Sequence, residues 1–414
     1  MKKTGFIGFI GAVLLVFFVS GQQQFQSHPN FDIETVSLAT EPIPEPLDIE
    51  EILNQYDSLI SAEIKTSRTV GAAVAITYKN QVVLMKCFGV KKSGTKDSID
   101  ENTIFRLASV SKTVSGVLAG MLAEEKIIGL DDKVCDYIPG FHLKTKTCTN
   151  ELTIRNLLSH TTGLAPHAFD DLVEQKVPLN QIMNQLCLVN TTAEPGKLYS
   201  YQNVMFSLFD TIVACKTGKN YAEVLKEKLF VPFGMNDAST GFESFRNNQN
   251  KALPHSGVTT IKMNDRYYNT TPAAGVNASI SDMKNFLLTL LNDSTKALNS
   301  QVEEIIFTPQ IQTDLSGGYF SQWNKVDSKA YGIGWRIVGY KGRKVAYHGG
   351  YLKGYRAEIA LCKDEQFGIV YLSNSPSAIA ARSVPEFINR LFDFKDQQKL
   401  ANKNIPSELI DDKS

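Results

Sequence analysis

Ser109 and Lys112 stand three apart in the run TIFRLASVSKTVSGVLAGMLAEEKIIGLDD, which extends from Thr103 to Asp132. Val110, Val114, Val117, Leu118, Met121 and Leu122 recur there at helical spacing, which predicts a helix with its apolar stripe buried. A separation of three puts the hydroxyl and the amine on one face of the first turn. Serine alone is a poor nucleophile, but a partly desolvated lysine of lowered pKa can take its proton. The pair therefore reads as S-x-x-K, with Ser109 the nucleophile and Lys112 the base. Backbone N–H groups at the helix start favour negative charge developing beside Ser109. Ser93 with Lys96 and Ser281 with Lys284 match the same pattern in poorer settings. The first pair sits in a Gly- and charge-rich turn, and Ser281 reads as the N-cap of the helix MKNFLLTLL.

Two further constellations follow. In PGKLYSYQNVMFSLFD, Tyr201 and Asn203 form Y-x-N after a Pro-Gly turn and before an apolar helix, so a loop presents both side chains. A phenol relays protons at neutral pH only where cations stabilise its phenolate, a field that Lys112 can supply. The other reading of Tyr201 is a ring packed beneath the surrounding helices. Asn203 can donate to or accept from Lys112 or substrate. Near the C-terminus, His348, Gly349 and Gly350 stand at the end of the strand KVAYH. Two glycines let the backbone approach a ligand closely. The N–H of Tyr351 can then join that of Ser109 as an oxyanion hole for a tetrahedral intermediate. His167, shortly after the Gly163 turn, either lines the cleft or is an exposed loop histidine, and the second reading is taken.

The elements that must position these groups come from both ends of the chain. Ile49 to Ile64 reads as an amphipathic helix, and VGAAVAITY and QVVLMKCFGV as two strands joined at Lys79 and Asn80. Further strands are read at 331–340, 344–348, 355–362 and 367–374, with a closing helix from Ile379 to Phe394. Residues 104–300 are mainly helical and loop-like. The fold class is therefore α+β: one antiparallel sheet built from both chain ends, flanked by helices, with a large helical lobe inserted and the cleft between sheet edge and lobe.

S-x-x-K, Y-x-N and H-x-G, in this order and on these elements, resemble the serine hydrolases of the class C β-lactamase and penicillin-binding protein superfamily. The likeness extends to LTIRNLLSHTTGL (152–164), LFVPFGMNDAST (229–240), PAAGVNASISDM (272–283) and YGIGW (331–335), and covers nearly everything from 50 to 390. It implies a β-lactamase/transpeptidase-like fold in which Ser109 is acylated, Lys112 takes its proton, Tyr201 passes a proton to the leaving group and Asn203 orients substrate. His348 takes the first position of the third motif, usually lysine in class C β-lactamases. A histidine of pKa near 6.5 is mostly neutral at pH 7 and attracts a carboxylate less than lysine does. Lys353 or Arg356 is the expected source of the missing charge. The expected function is acyl-enzyme hydrolysis of an amide or ester such as a β-lactam, a D-amino-acid peptide or a carboxylic ester. The alternative is an inactive penicillin-binding-like scaffold. No metal or organic cofactor is required.

Lys2 and Lys3 precede an apolar run from Phe6 to Val19, followed by Ser20 and Gly21, so residues 1–21 read as a signal peptide or an N-terminal anchor. Residues 22–46 read as a Pro-containing linker, 47–396 as the hydrolase domain and 397–414 as a polar tail. The protein is accordingly expected to be exported, periplasmic or secreted, with a small-molecule or peptide substrate. With 43 basic against 43 acidic residues, the chain carries no charge footprint for nucleic acid. The six cysteines show neither C-x-x-C spacing nor a His cluster, against a metal site. Cys135 and Cys148 are nearest in sequence for an oxidised pair, whereas Cys87 and Cys362 read as buried thiols.

Overall fold

A computed structural model describes residues 49–292, 298–314 and 320–403. The expected signal peptide or anchor, the linker and the last residues of the tail lie outside the described residues. The first hairpin pairs β1 (Gly71–Tyr78) with β2 (Gln81–Gly89). Lys79 and Asn80 both take positive φ, 47° and 61°, the conformation a two-residue hairpin turn demands. Six more strands complete the main sheet: β3 (Ile311–Gln312), β4 (Val326–Tyr331), β5 (Arg336–Tyr340), β6 (Arg343–Leu352), β7 (Tyr355–Cys362) and β8 (Phe367–Ser373). Their order is β2-β1-β8-β7-β6-β5-β4-β3, antiparallel throughout. As expected, strands from both chain ends meet in this sheet, second and third from the β2 edge, with Ala72 opposite Ser373 and Tyr78 opposite Phe367.

Strand periodicity sends alternate side chains to two different cores. Ala72, Val74 and Ile76 face a layer made by helices α1 (Ile49–Thr66) and α4 (Ala378–Lys403), which brings in Tyr56, Ile60, Phe387 and Leu391. Ala73 and Ala75 face the helical lobe, together with α2 (Ser111–Glu124) and α3 (Ile280–Leu291). α2 is buried at every position from Ser111 to Leu122, so it forms the axis of the lobe and not a surface helix. Each fully buried Leu, Ile, Val or Phe contributes about 1.5–3 kcal/mol relative to exposure.

Several local expectations are corrected. The 331–340 stretch is two strands, because Gly332–Trp335 leaves the sheet to seat against α2. Gly334 has φ +76°, and a Cβ there would stand 2.2 Å from the carbonyl oxygen of Lys112. β6 does not end at His348 but runs through Gly349, Gly350 and Tyr351 to Leu352. The helix expected from the start of the serine motif is preceded by an extended pair, Phe105–Arg106, and a tight turn, Ala108–Val110. Asn203 opens a short helix, Asn203–Ser207, instead of lying in the loop. Ser279, not Ser281, caps α3: its side chain accepts from the N–H of Asp282, whose carboxylate returns a bond to Ser279. α4 continues past residue 396 to Lys403, taking up the start of the expected tail. All six cysteines are free, so Cys135 and Cys148 are not joined. Among the described residues no helix is long and apolar enough to cross a membrane.

Candidate active site

The turn that carries Ser109 is clamped on both sides. Leu107 N–H donates to the carbonyl of Val276, and Val276 N–H donates to Ser111 Oγ. Between them Ala108 takes φ 49°, a left-handed conformation that costs a residue with a Cβ about 1–2 kcal/mol. Such strain persists where surrounding structure imposes it, and here it sets up the turn that leaves Ser109 partly exposed while its neighbours are buried.

Lys112, one turn on, is fully buried and donates from Nζ to Asn203 Oδ1 at 2.8 Å and to the carbonyl of Ala273 at 3.0 Å. Its Nζ also lies 4.7 Å from the centroid of the Tyr201 ring. Burial holds its pKa well below the ordinary lysine value; Arg336 pushes the same way and Asp170 opposes. Among the described residues no hydrogen bond joins Lys112 to Ser109. Catalytic contacts of this kind commonly tighten only when substrate is bound.

Tyr201 is held between two imidazoles, with His160 at 4.2 Å and His167 at 5.4 Å between ring centroids. His160, from the HTTGL segment, is wholly buried with φ 59°, and its Nδ1 accepts from the N–H of Gln202. Burial, reinforced by Lys112 and Arg336, keeps it neutral, with its pKa well below the usual imidazole value. His167 is more than the exposed loop residue expected: its side chain is 58% exposed, yet Nδ1 lies 2.7 Å from Asp170 Oδ2.

β6 forms the other wall. A Cβ on Gly350 would lie 2.3 Å from the carbonyl oxygen of Leu107 and 3.1 Å from the Ser109 nitrogen, so only glycine lets the strand come this near the nucleophile. Leu352 and Tyr355 close a two-residue turn and form a hydrogen-bonded pair, which makes Tyr351 and Arg356 a non-hydrogen-bonded pair. The N–H of Tyr351 is thus turned away from β7. β5 begins only opposite Tyr347, leaving that side of Tyr351 uncovered by a strand. The Tyr351 side chain itself is 59% exposed.

His348 is buried, with Nδ1 donating to the carbonyl of Gly349 (2.9 Å) and Nε2 accepting from the Tyr331 hydroxyl (3.0 Å). Burial first, then Arg336 and Lys112, depress its pKa well below the ordinary value, so it is neutral at pH 7. Arg356 Nε pairs with the buried Glu358 at 2.5 Å, and Lys353 lines a small cavity with Arg106 and Tyr267. A further cation, Arg336, directly after the YGIGW run, faces this cleft. Its guanidinium lies 5.6 Å from the Tyr201 ring and 5.7 Å from that of Tyr331, and it donates to the Tyr199 hydroxyl at 3.2 Å. Sequence reading missed Arg336, His160 and Asp170, although the first two lie in or beside runs that carried the resemblance.

Fold and cleft together define a member of the serine hydrolase superfamily with the β-lactamase and penicillin-binding architecture. The chain belongs to the Beta-lactamase family, whose model matches residues 56–387. Among its relatives, Protein flp of Staphylococcus aureus (strain MRSA252) is 23% identical over 84% of this chain and 68% of its own length. Penicillin-binding protein 4* of Bacillus subtilis is 26% identical over 69% of this chain and 64% of its own. The fold is also that of an octameric penicillin-binding protein homologue from Pyrococcus abyssi, with TM-score 0.71, 20% identity, 84% of this chain and 78% of that one.

Proposed function

We propose that the chain is an exported acyl-transfer hydrolase that opens an amide or ester bearing a carboxylate close to the scissile bond. The observation that carries this reading is the bonding of Lys112. A neutral amine has two N–H donors and one lone pair. Asn203 Oδ1 and the Ala273 carbonyl take both donors, so the lone pair is left for the Ser109 proton. A buried lysine with its pKa pushed down is the form a base must have.

In this mechanism Ser109 Oγ attacks the carbonyl carbon as its proton passes to Lys112. The oxyanion is held by the N–H groups of Ser109 and Tyr351, and Tyr201 delivers a proton to the departing nitrogen or oxygen and is reprotonated by Lys112. Water then attacks the acyl-enzyme as one of its protons passes to Lys112, and that proton is delivered to Ser109 Oγ as the acyl C–O bond breaks and the acid leaves. Because His348 is neutral, Arg336 is the group to meet a substrate carboxylate. This favours a D-amino-acid peptide, a β-lactam or an anionic ester over an uncharged substrate.

Incubation with a fluorescent penicillin and an uncharged fluorophosphonate, beside a Ser109→Ala control, tests the reading. Adducts mapping to Ser109 and absent from the control are expected. A lasting penicillin adduct marks a peptidase, rapid turnover a β-lactamase, and phosphonate labelling alone an esterase or peptidase. No adduct from either probe on folded protein overturns the hydrolase reading in favour of a scaffold.

A further inference from the structure

The segment from Ala165 to Asp170 is tied to the Y-x-N motif at each of its three positions. His167 N–H donates to the carbonyl of Tyr201 at 2.8 Å, the Gln202 amide donates to the carbonyl of Ala165, and Asn203 Nδ2 donates to Asp170 Oδ2 at 2.9 Å. Holding this shape requires left-handed conformations at two residues that carry a Cβ, His167 (φ 58°) and Phe169 (φ 62°).

The chemistry of the last bond matters most. A primary amide has a donor end and an acceptor end, and nothing in Asn203 itself decides which end faces Lys112. A carboxylate only accepts. With Asp170 beside it, Asn203 must turn its NH₂ group to Asp170, and its oxygen therefore to Lys112 Nζ. Reversed, the amide would point N–H groups at the lysine and compete for the lone pair that Ser109 needs. The carboxylate is itself held, since Asp170 Oδ2 also accepts from His167 Nδ1 at 2.7 Å.

We propose that Asp170, held by His167, is a positioning residue that fixes the rotation of the Asn203 amide and so keeps the lone pair of Lys112 free for Ser109. Its catalytic consequence rests on the hydrolase reading above; the orientation of the amide does not. The arrangement has an electrostatic cost. Of the groups acting on Lys112, Asp170 favours the ammonium, whereas Arg336 and burial oppose it. The neutral imidazoles His160 and His348 and the phenol Tyr201 also lie around it. Asparagine at 170 would make Lys112 easier to deprotonate but leave the amide free to turn.

That opposition separates a lock from a mere charge or a structural prop. The rate constant for labelling of Ser109 by an uncharged fluorophosphonate is measured from pH 5 to 10 in wild type, Asp170→Asn, Asn203→Ala and the double variant. Asp170→Asn is expected to shift the acid limb to lower pH while dropping the plateau by about 10-fold or more, with no further loss in the Asn203→Ala background. His167→Gln, which loosens the carboxylate without touching Asn203, is expected to lower the plateau by a smaller factor and serves if Asp170→Asn fails to fold. An unchanged plateau, or an equal loss with Asn203 absent, overturns the proposal. If wild type is not labelled at all, the hydrolase reading falls instead, and side-chain NMR decides the lock. The Asn203 NH₂ resonances are then expected to shift in the Asp170 variant, and unmoved resonances overturn it.

Discussion

Replacing Arg336 by glutamine removes the cation that faces Lys112, His348 and Tyr201, and its effect can be sized from the geometry. Lys112 Nζ and the Arg336 guanidinium lie 4.7 and 5.6 Å from the same Tyr201 centroid, which bounds their separation at a little over 10 Å. Two like charges about 10 Å apart repel by about 1.7 kcal/mol at an effective dielectric constant near 20. That is roughly 15-fold in the ratio of amine to ammonium. The sign is fixed: Arg336 lowers the lysine pKa, so its loss raises it and leaves less free base at any pH below the midpoint. Labelling of Ser109 by an uncharged fluorophosphonate is therefore expected to slow by about 10-fold on the acid limb, which moves to higher pH, and to recover on the alkaline plateau. With a carboxylate-bearing substrate KM rises as well, at every pH. An acid limb that stays in place or moves to lower pH refutes the assignment of Lys112 as the base sensed by Arg336.

Other perturbations act on separate parts of the site. Lys112→Met abolishes labelling, and wild type gains stability relative to it by about 1.4 kcal/mol per pH unit between pH 8.5 and 9.5 in urea melts, because the unfolded lysine still binds a proton there while the folded one does not. His160 and His348 have lowered folded pKa values, so the unfolded state binds protons first as pH falls below about 6.5 and stability is lost. His160→Asn should remove about 1.4 kcal/mol per unit from that slope between pH 6 and 5; an unchanged slope contradicts a neutral His160. Gly350→Ala drives a methyl group into the backbone of Leu107 and Ser109, so it should destabilise by about 1–3 kcal/mol and cut labelling at least 100-fold. Labelling within threefold of wild type argues against β6 as the wall of the oxyanion site.

What was legible in the sequence is what is written locally. The apolar period after Ser109 marks α2, the β-rich apolar runs VGAAVAITY and FGIVYLSN mark strands from both ends, and Lys79-Asn80 marks a hairpin. The groups that tune the site were not legible, because each acts through a neighbour far away in the chain. Asp170 matters only because Asn203 lies against it, and Arg336 only because Tyr201 and Tyr331 lie under it. The glycines of β6 read as the end of a strand, since a sequence does not show that a ladder partner continues to Leu352. Ser281 reads as a cap because it stands just before the apolar run, and only the bond that the Ser279 N–H donates to the Asp282 carboxylate selects Ser279.

The pairing of β1 with β8 has a consequence for how the molecule is made. Ala72 and Ser373 are partners, so the first hairpin emerges from the ribosome about 300 residues before the strand that covers its inner edge. Until β8 and α4 arrive, β1 presents an open ladder of backbone groups and one bare apolar face. The lobe around α2 can collapse meanwhile through its own contacts, but the sheet is the last structure to close, and non-local closure of this kind is slow. A chain that stays unfinished for so long is badly suited to waiting in a crowded compartment without a chaperone on its first hairpin.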